Sequence, residues 1–141
     1  MIRTQAMLGV AALTVLAACQ GPTPRSAGIQ TNATANPPQV AMRNTQTGTV
    51  LTDARGMTFY VYNQDGTNLS NCYGSCAQQW IPVPATADAQ TMAPNWAVVQ
   101  RSDGMRQWAY KGKPLYTWVG DTKPGDTFGQ NQSSAWSVAT P

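Results

Sequence analysis

A chain that repeats itself at one fixed spacing has to fold so that two equivalent units share a single architecture. At a spacing of 56 residues, read from Gly48 to Gly104, the identical pairs are Gly48 with Gly104, Gly56 with Gly112, Tyr60 with Tyr116, Asp65 with Asp121 and Trp80 with Trp136. Arg55 meets Lys111, Phe59 meets Leu115 and Tyr62 meets Trp118 in the same register, without a gap. Tyrosine and tryptophan occur only five times each in the 141 residues, so aromatic matches carry far more weight than matches among common residues. The pattern defines two copies, at about residues 48–83 and 104–139.

Each copy reads as β structure. In the first, residues 49–52 lead to a turn at Arg55-Gly56, then to residues 57–62, closed by Asn63-Gln64-Asp65-Gly66. In the second, residues 107–110 lead to a turn at Lys111-Gly112-Lys113-Pro114, then to residues 115–119, closed by Gly120-Asp121. Further strands are expected at 96–101 and 135–139, and one short helix at 74–80, beside Cys76. The fold class is therefore mainly β, a small antiparallel β domain over residues 47–141 built from two copies of a hairpin-containing repeat. A domain of this size buries roughly 60–68% of its extended-chain surface, which sustains one small antiparallel β domain.

Side chains alternate across a strand, so Tyr60 and Tyr62 share one face while Phe59 and Val61 share the other, and Tyr116 pairs likewise with Trp118. Asp65 and Asp121 follow in turns, where a carboxylate accepts backbone N–H groups or a tyrosine hydroxyl. Two readings stand. The aromatics pack between the copies and each aspartate ties down its turn, or Tyr60, Tyr62, Asp65, Tyr116, Trp118 and Asp121 form two aromatic platforms, each with an acid, for an extended ligand.

These motifs carry a resemblance. Tyr60-Val61-Tyr62-Asn63-Gln64-Asp65 and Tyr116-Thr117-Trp118-Val119-Gly120-Asp121 both fit Tyr-x-[Phe/Trp/Tyr]-x-x-Asp, the signature of a family of predicted bacterial lipoproteins also described as a secreted repeat with a Tyr-x4-Asp motif. Asn71-Cys72-Tyr73-Gly74-Ser75-Cys76-Ala77, running into Trp80-Ile81-Pro82, is similar to the family's Cys-x-Gly-x-Cys-Ala segment before Trp-Pro, with Ile81 standing where proline is usual. Gly112 to Tyr116 and Gly120 to Asp126 resemble its second copy. The resemblance spans about residues 48–139 and implies an exported lipoprotein with two copies of the motif and no established activity.

The other end of the chain reads as an export signal. Residues 1–18 hold one charge, Arg3, and an apolar stretch ending in Leu16-Ala17-Ala18-Cys19. That stretch is shorter than the roughly 20 residues needed to span a bilayer. Leu16-Ala17-Ala18-Cys19 resembles the bacterial lipobox, in which Cys19 would receive a diacylglyceryl group and become the lipidated N-terminus. An ordinary secretory signal would instead leave Cys19 as an unpaired third thiol in an exported protein. Gln20, by the same resemblance, points to the periplasmic face of the outer membrane; in a Gram-positive source the anchor would sit on the outer face of the cell membrane. Residues 19–46, rich in proline and asparagine and poor in large apolar side chains, read as a flexible lipidated tether or as a targeting remnant.

Composition narrows the chemistry. Charged residues make up 11% of the chain, and there is no histidine. The six acidic residues are all aspartates, at 53, 65, 88, 103, 121 and 126. Without imidazole a Ser-His-Asp or Cys-His nucleophile and the histidine-based metalloprotease sites are excluded. The nine lysines and arginines are scattered, with no basic stripe for nucleic acid. Partners are therefore the membrane, through the N-terminal lipid, and an unidentified envelope protein or small ligand, with no catalytic residue assigned.

Cys72 and Cys76 are the remaining reactive candidates, four residues apart with Gly74 between them. A structural disulfide closing so short a loop contributes about 2 kcal/mol. The alternative is a thiol-based redox or Cu(I)-handling protein, in which Met57, Met92 or Met105 would have to supply soft thioether ligands; otherwise no cofactor is expected. In the second copy Phe128 and Gln132 align with the two cysteines, so whatever they do belongs to one copy. Asp121 and Asp126 flank Pro124-Gly125 and could hold calcium, but two carboxylates fall short of its six to eight oxygens, and a solvated turn is the expectation.

Overall fold

The exchange of terminal strands between the two copies organises the fold. The computed structural model describes residues 40–90 and 93–141. The first copy contributes β1 (Ala41–Thr45), β2 (Gly48–Thr52), β3 (Tyr60–Tyr62), a five-residue helix α1 (Ser75–Gln79) and β4 (Trp80–Pro82). The second contributes β5 (Trp96–Gln100), β6 (Arg106–Tyr110), β7 (Lys113–Pro114), β8 (Tyr116–Trp118), a 3-10 turn at Phe128–Asn131 and β9 (Trp136–Val138). The central sheet has the order β4-β8-β3-β9, with every pair antiparallel.

The motif strands β3 and β8 therefore sit side by side, meeting at Tyr60 opposite Tyr116. Each is flanked by the closing strand of the other copy: β4 lies on β8 and β9 on β3. Backbone bonds beyond the sheet repeat the exchange. Val83 N–H donates to Leu115 C=O at 2.9 Å, and its counterpart Ala139 N–H donates to Phe59 C=O at 2.7 Å. The result is an approximate two-fold axis between β3 and β8.

Both apolar clusters draw on both copies. One gathers Leu51, Phe59, Val83 and Ala89 with Trp108, Leu115 and Ala139; the other gathers Tyr60, Cys72 and Trp80 with Tyr116 and Trp136. Neither copy closes a core alone.

The two copies turn differently. In the first, Asp53 N–H donates to Met57 C=O across a three-residue loop whose last residue, Gly56, has φ +86°, a left-handed conformation that suits glycine. In the second, Lys111 (φ +48°) and Gly112 (φ +76°) form a two-residue turn of the type that matches hairpin twist. The second loop is one residue shorter, and the strand before it shifts accordingly. The buried run Val50, Leu51, Thr52 corresponds to Gln107, Trp108, Ala109, so the spacing is 57 residues there (Leu51 to Trp108) and 56 elsewhere (Tyr60 to Tyr116).

One boundary needs correction. The tether expected over residues 19–46 overlaps β1, which pairs residue for residue with β2 from Ala41 opposite Thr52 to Thr45 opposite Gly48. Composition hid this strand because four of its five residues are exposed, so it needs no apolar face. The expected signal, Cys19 and the rest of residues 1–39 lie outside the described residues, as does Met92.

Candidate functional site

The two-fold axis brings the motif tyrosines and aspartates together crosswise. The Tyr60 hydroxyl donates to Asp121 Oδ2 at 2.6 Å, and the Tyr116 hydroxyl donates to Asp65 Oδ2 at 2.7 Å. Each motif thus supplies the tyrosine to one pair and the aspartate to the other. Tyr60 and Tyr116 are fully buried, and Asp65 and Asp121 nearly so.

The second oxygen of each carboxylate holds its own loop. Asp65 Oδ1 accepts the Asn71 N–H at 2.7 Å, and Asp121 Oδ1 accepts the Phe128 N–H at 3.1 Å. The phenol oxygens are satisfied on their far side by different means. Gly129 N–H donates to the Tyr60 oxygen at 3.2 Å, whereas Ser70 Oγ lies 2.8 Å from that of Tyr116. Gly129 is glycine for lack of room: a Cβ there would stand 2.7 Å from the Tyr60 ring.

Burial raises the pKa of all four groups above its ordinary value. For Tyr60 and Tyr116 desolvation is the first cause, with the facing aspartate adding to it. For Asp65 and Asp121 desolvation outweighs the lowering effect of their N–H and phenol donors. A phenol with a raised folded value contributes stability that is complete below the unfolded value near ~10 and is lost as pH rises towards the folded value. Ultraviolet titration should accordingly show two of the five tyrosines ionising only as the domain unfolds at high pH; ionisation of all five with the fold intact would contradict the buried pairs.

A third buried polar group lies beside the second pair. The side chain of Arg101 is wholly buried; its Nη1 donates to Ser70 Oγ (2.6 Å) and Gln107 Oε1 (2.9 Å), and its Nη2 to the Cys72 carbonyl (2.8 Å) and Asp103 Oδ2 (2.9 Å). Its proximity pulls the Asp103 carboxyl below its ordinary value. Nothing in the spacing pointed to Arg101, because its counterpart 56 residues earlier is Thr45.

Beside the four motif residues the aromatic rings form a stack that crosses the two-fold. Trp80 and Trp136 lie face to face with centroids 3.8 Å apart and planes 6° from parallel. Tyr60 meets Trp80 edge-on at 5.3 Å, and Tyr116 meets Trp136 edge-on at 5.0 Å. Tyr62 and Trp118, both half-buried, cap the two ends.

Cys72 and Cys76 form a disulfide with Cα atoms 5.3 Å apart, fastening the loop that leads into α1. In the second copy the Gln132 side chain donates to the Phe128 carbonyl at 3.3 Å, a weaker tie at the same place. Met57 is half-buried and Met105 is exposed. Asp126 Oδ2 accepts the N–H groups of Thr122 and Lys123, so it closes its own turn.

The repeat itself is shared with a known group of proteins. A family model described as a secreted repeat of unknown function matches twice, at residues 41–84 and 97–140. The chain belongs to that family. The two matches are offset by 56 residues (Ala41 to Ala97), the spacing of the crossed tyrosine–aspartate pairs, and each begins at β1 or its counterpart β5 and ends beyond the exchanged strand. The family's repeat is thus half of a folded unit in this protein. No helix among the described residues is long and apolar enough to cross a membrane. Comparison with curated proteins and with solved structures gives no match.

Proposed function

We propose that this secreted protein is a lipid-anchored binding or envelope-maintenance module with no catalysis of its own, carried on Cys19 at the periplasmic face of the outer membrane, or on the outer face of the cell membrane in a Gram-positive source. The observation that carries the non-catalytic part of this reading is the crossed pairing of Tyr60 with Asp121 and Tyr116 with Asp65. The motif's polar atoms are buried and engaged with one another, so they serve as the framework that presents a surface. The disulfide between Cys72 and Cys76 holds that framework in the same way and engages both thiols of the redox or Cu(I) alternative. Support for the anchor comes from the Leu16-Ala17-Ala18-Cys19 sequence and from the secreted character of the family.

The test is metabolic labelling of the full chain with an alkyne analogue of palmitate in a Gram-negative host, followed by membrane fractionation. Label in the outer-membrane fraction, lost in Cys19→Ser and moved to the inner membrane in Gln20→Asp, is the expected result. Unlabelled wild-type protein in the soluble periplasm would overturn the anchor.

A further inference from the structure

The approximate two-fold provides an internal reference, against which a difference between the two sides of the aromatic stack stands out. One side departs from the other. Tyr62 lies flat on Trp136, with centroids 4.4 Å apart and planes 20° from parallel, and closes its end of the aromatic stack. Its counterpart Trp118 stands 6.0 Å from Trp80 and is tilted by 34°, which leaves a wedge open. Trp118 is folded tightly over its own chain: a Cβ on Gly120 would come within 2.3 Å of the indole, so only glycine permits this position.

The wedge opens into a cleft of about 450 Å³ lined by Trp80, Trp118 and Trp136 together with Gln79, Gln132 and Ser133, with Val119 at its rim. The polar members are also specific to this side. Gln79, Gln132 and Ser133 correspond at the 56-residue spacing to Ala135, Cys76 and Ala77, so three hydrogen-bonding side chains face three positions that carry none of that capacity on the closed side. No lining residue is charged. None of the three indole N–H groups has a hydrogen-bond partner among the described residues, and no side-chain polar atom there is buried without a partner.

We propose that this cleft is a binding site for a neutral saccharide, an inference that rests on the reading of the protein as a binding module and names the class of ligand. The volume lies in the range of small-ligand sites, about 300–1,000 Å³. Trp80 and Trp136 are buried against each other, so the half-buried Trp118 indole is the face left for the apolar C–H side of a pyranose, while the carboxamides, each both donor and acceptor, suit its hydroxyl groups. The uncharged lining disfavours phosphorylated or carboxylated ligands, which call for a cation or a row of N–H donors. A proline-rich peptide also docks on aromatic side chains, but in an extended groove that follows the peptide. A single wedge lined by two carboxamides fits a sugar ring better.

The test uses the full chain in detergent, labelled with 15N at tryptophan, whose five indole N–H signals report separately. Chitotetraose, cellotetraose and a polyproline peptide are the probes. Expected is a saturable shift of the Trp80, Trp118 and Trp136 signals with at least one saccharide, while Trp96 and Trp108, which pack in the other core region, stay in place. Gln132→Ala and Trp118→Ala should each weaken that binding at least tenfold. Gln132 is exposed, so its variant keeps the test valid should the tryptophan variant misfold. No saturable shift with either saccharide, a response only to polyproline, or equal movement of all five signals would overturn the proposal. Palmitate labelling is independent of these outcomes, so loss of the saccharide site and loss of the anchor are told apart.

Discussion

Arg101→Met is expected to lower the unfolding free energy by about 3–5 kcal/mol, the range for removing one partner from a buried charged network. Methionine keeps most of the volume, so the loss reports the guanidinium rather than a cavity. Without it the buried Gln107 Oε1 and the Cys72 carbonyl lose their donors, and Ser70, which also touches Tyr116, loses its anchor. Arg101→Lys should recover only a minor part, because a single ammonium cannot reproduce the fork that reaches Ser70 and Gln107 through one nitrogen and Cys72 through the other. Against a typical stability of about 5–15 kcal/mol, this is a large fraction. Thermal unfolding would show a fall of roughly 12 °C or more. A variant within about 1 kcal/mol of the parent would mean that the guanidinium is not part of the buried frame.

The second large effect is expected at the crossed pairs. Asp121→Ala leaves two donors without partners, the Tyr60 hydroxyl and the Phe128 N–H, in a region where Tyr60 is fully buried. Each orphaned donor costs about 1–3 kcal/mol, so a loss of about 2–6 kcal/mol is expected from denaturant titration. Asp65→Ala should cost a similar amount, since it deprives Tyr116 and the Asn71 N–H, although Ser70 remains to satisfy the Tyr116 oxygen. A loss below about 0.5 kcal/mol in both variants, the size of an ordinary surface substitution, would contradict a buried pair.

Much of this fold was legible because the repeat preserves rare residues. Tyr60 with Tyr116 and Trp80 with Trp136 marked two equivalent units, and the turn residues around Gly56 and Gly112 placed the hairpins. The strands at Trp96–Gln100 and Trp136–Val138 and the helix at Ser75–Gln79 fall where apolar alternation and the cysteine segment put them. Less visible was whatever depends on which copy touches which. A spacing states that Asp65 follows Tyr60; only the exchange of β4 and β9 decides that Asp65 bonds to Tyr116.

Other features escaped for local reasons. β1 is nearly all exposed and so has no apolar signature, and β4 is a three-residue strand ending in proline. The one-residue shift between β2 and β6 is offset by the shorter turn at Lys111-Gly112, which leaves the overall register ungapped. Arg101 reads as a surface residue in any composition analysis; it is buried because four acceptor groups surround it. The open and closed sides of the aromatic stack differ through Trp118 and Tyr62, a substitution that looks conservative until the ring geometry is known.

The most direct measurement on the crossed architecture is a pair of double-mutant cycles that share one substitution. Tyr60→Phe is combined in one cycle with Asp121→Ala, across the copies, and in the other with Asp65→Ala, inside its own motif. A coupling of about 1.5–3 kcal/mol, appropriate to a hydrogen bond to a charged group, is expected for Tyr60 with Asp121, and additivity within about 0.5 kcal/mol for Tyr60 with Asp65. The reverse order, with coupling inside the motif and none across the copies, would show that each Tyr-x4-Asp segment closes on itself and would contradict the exchanged fold.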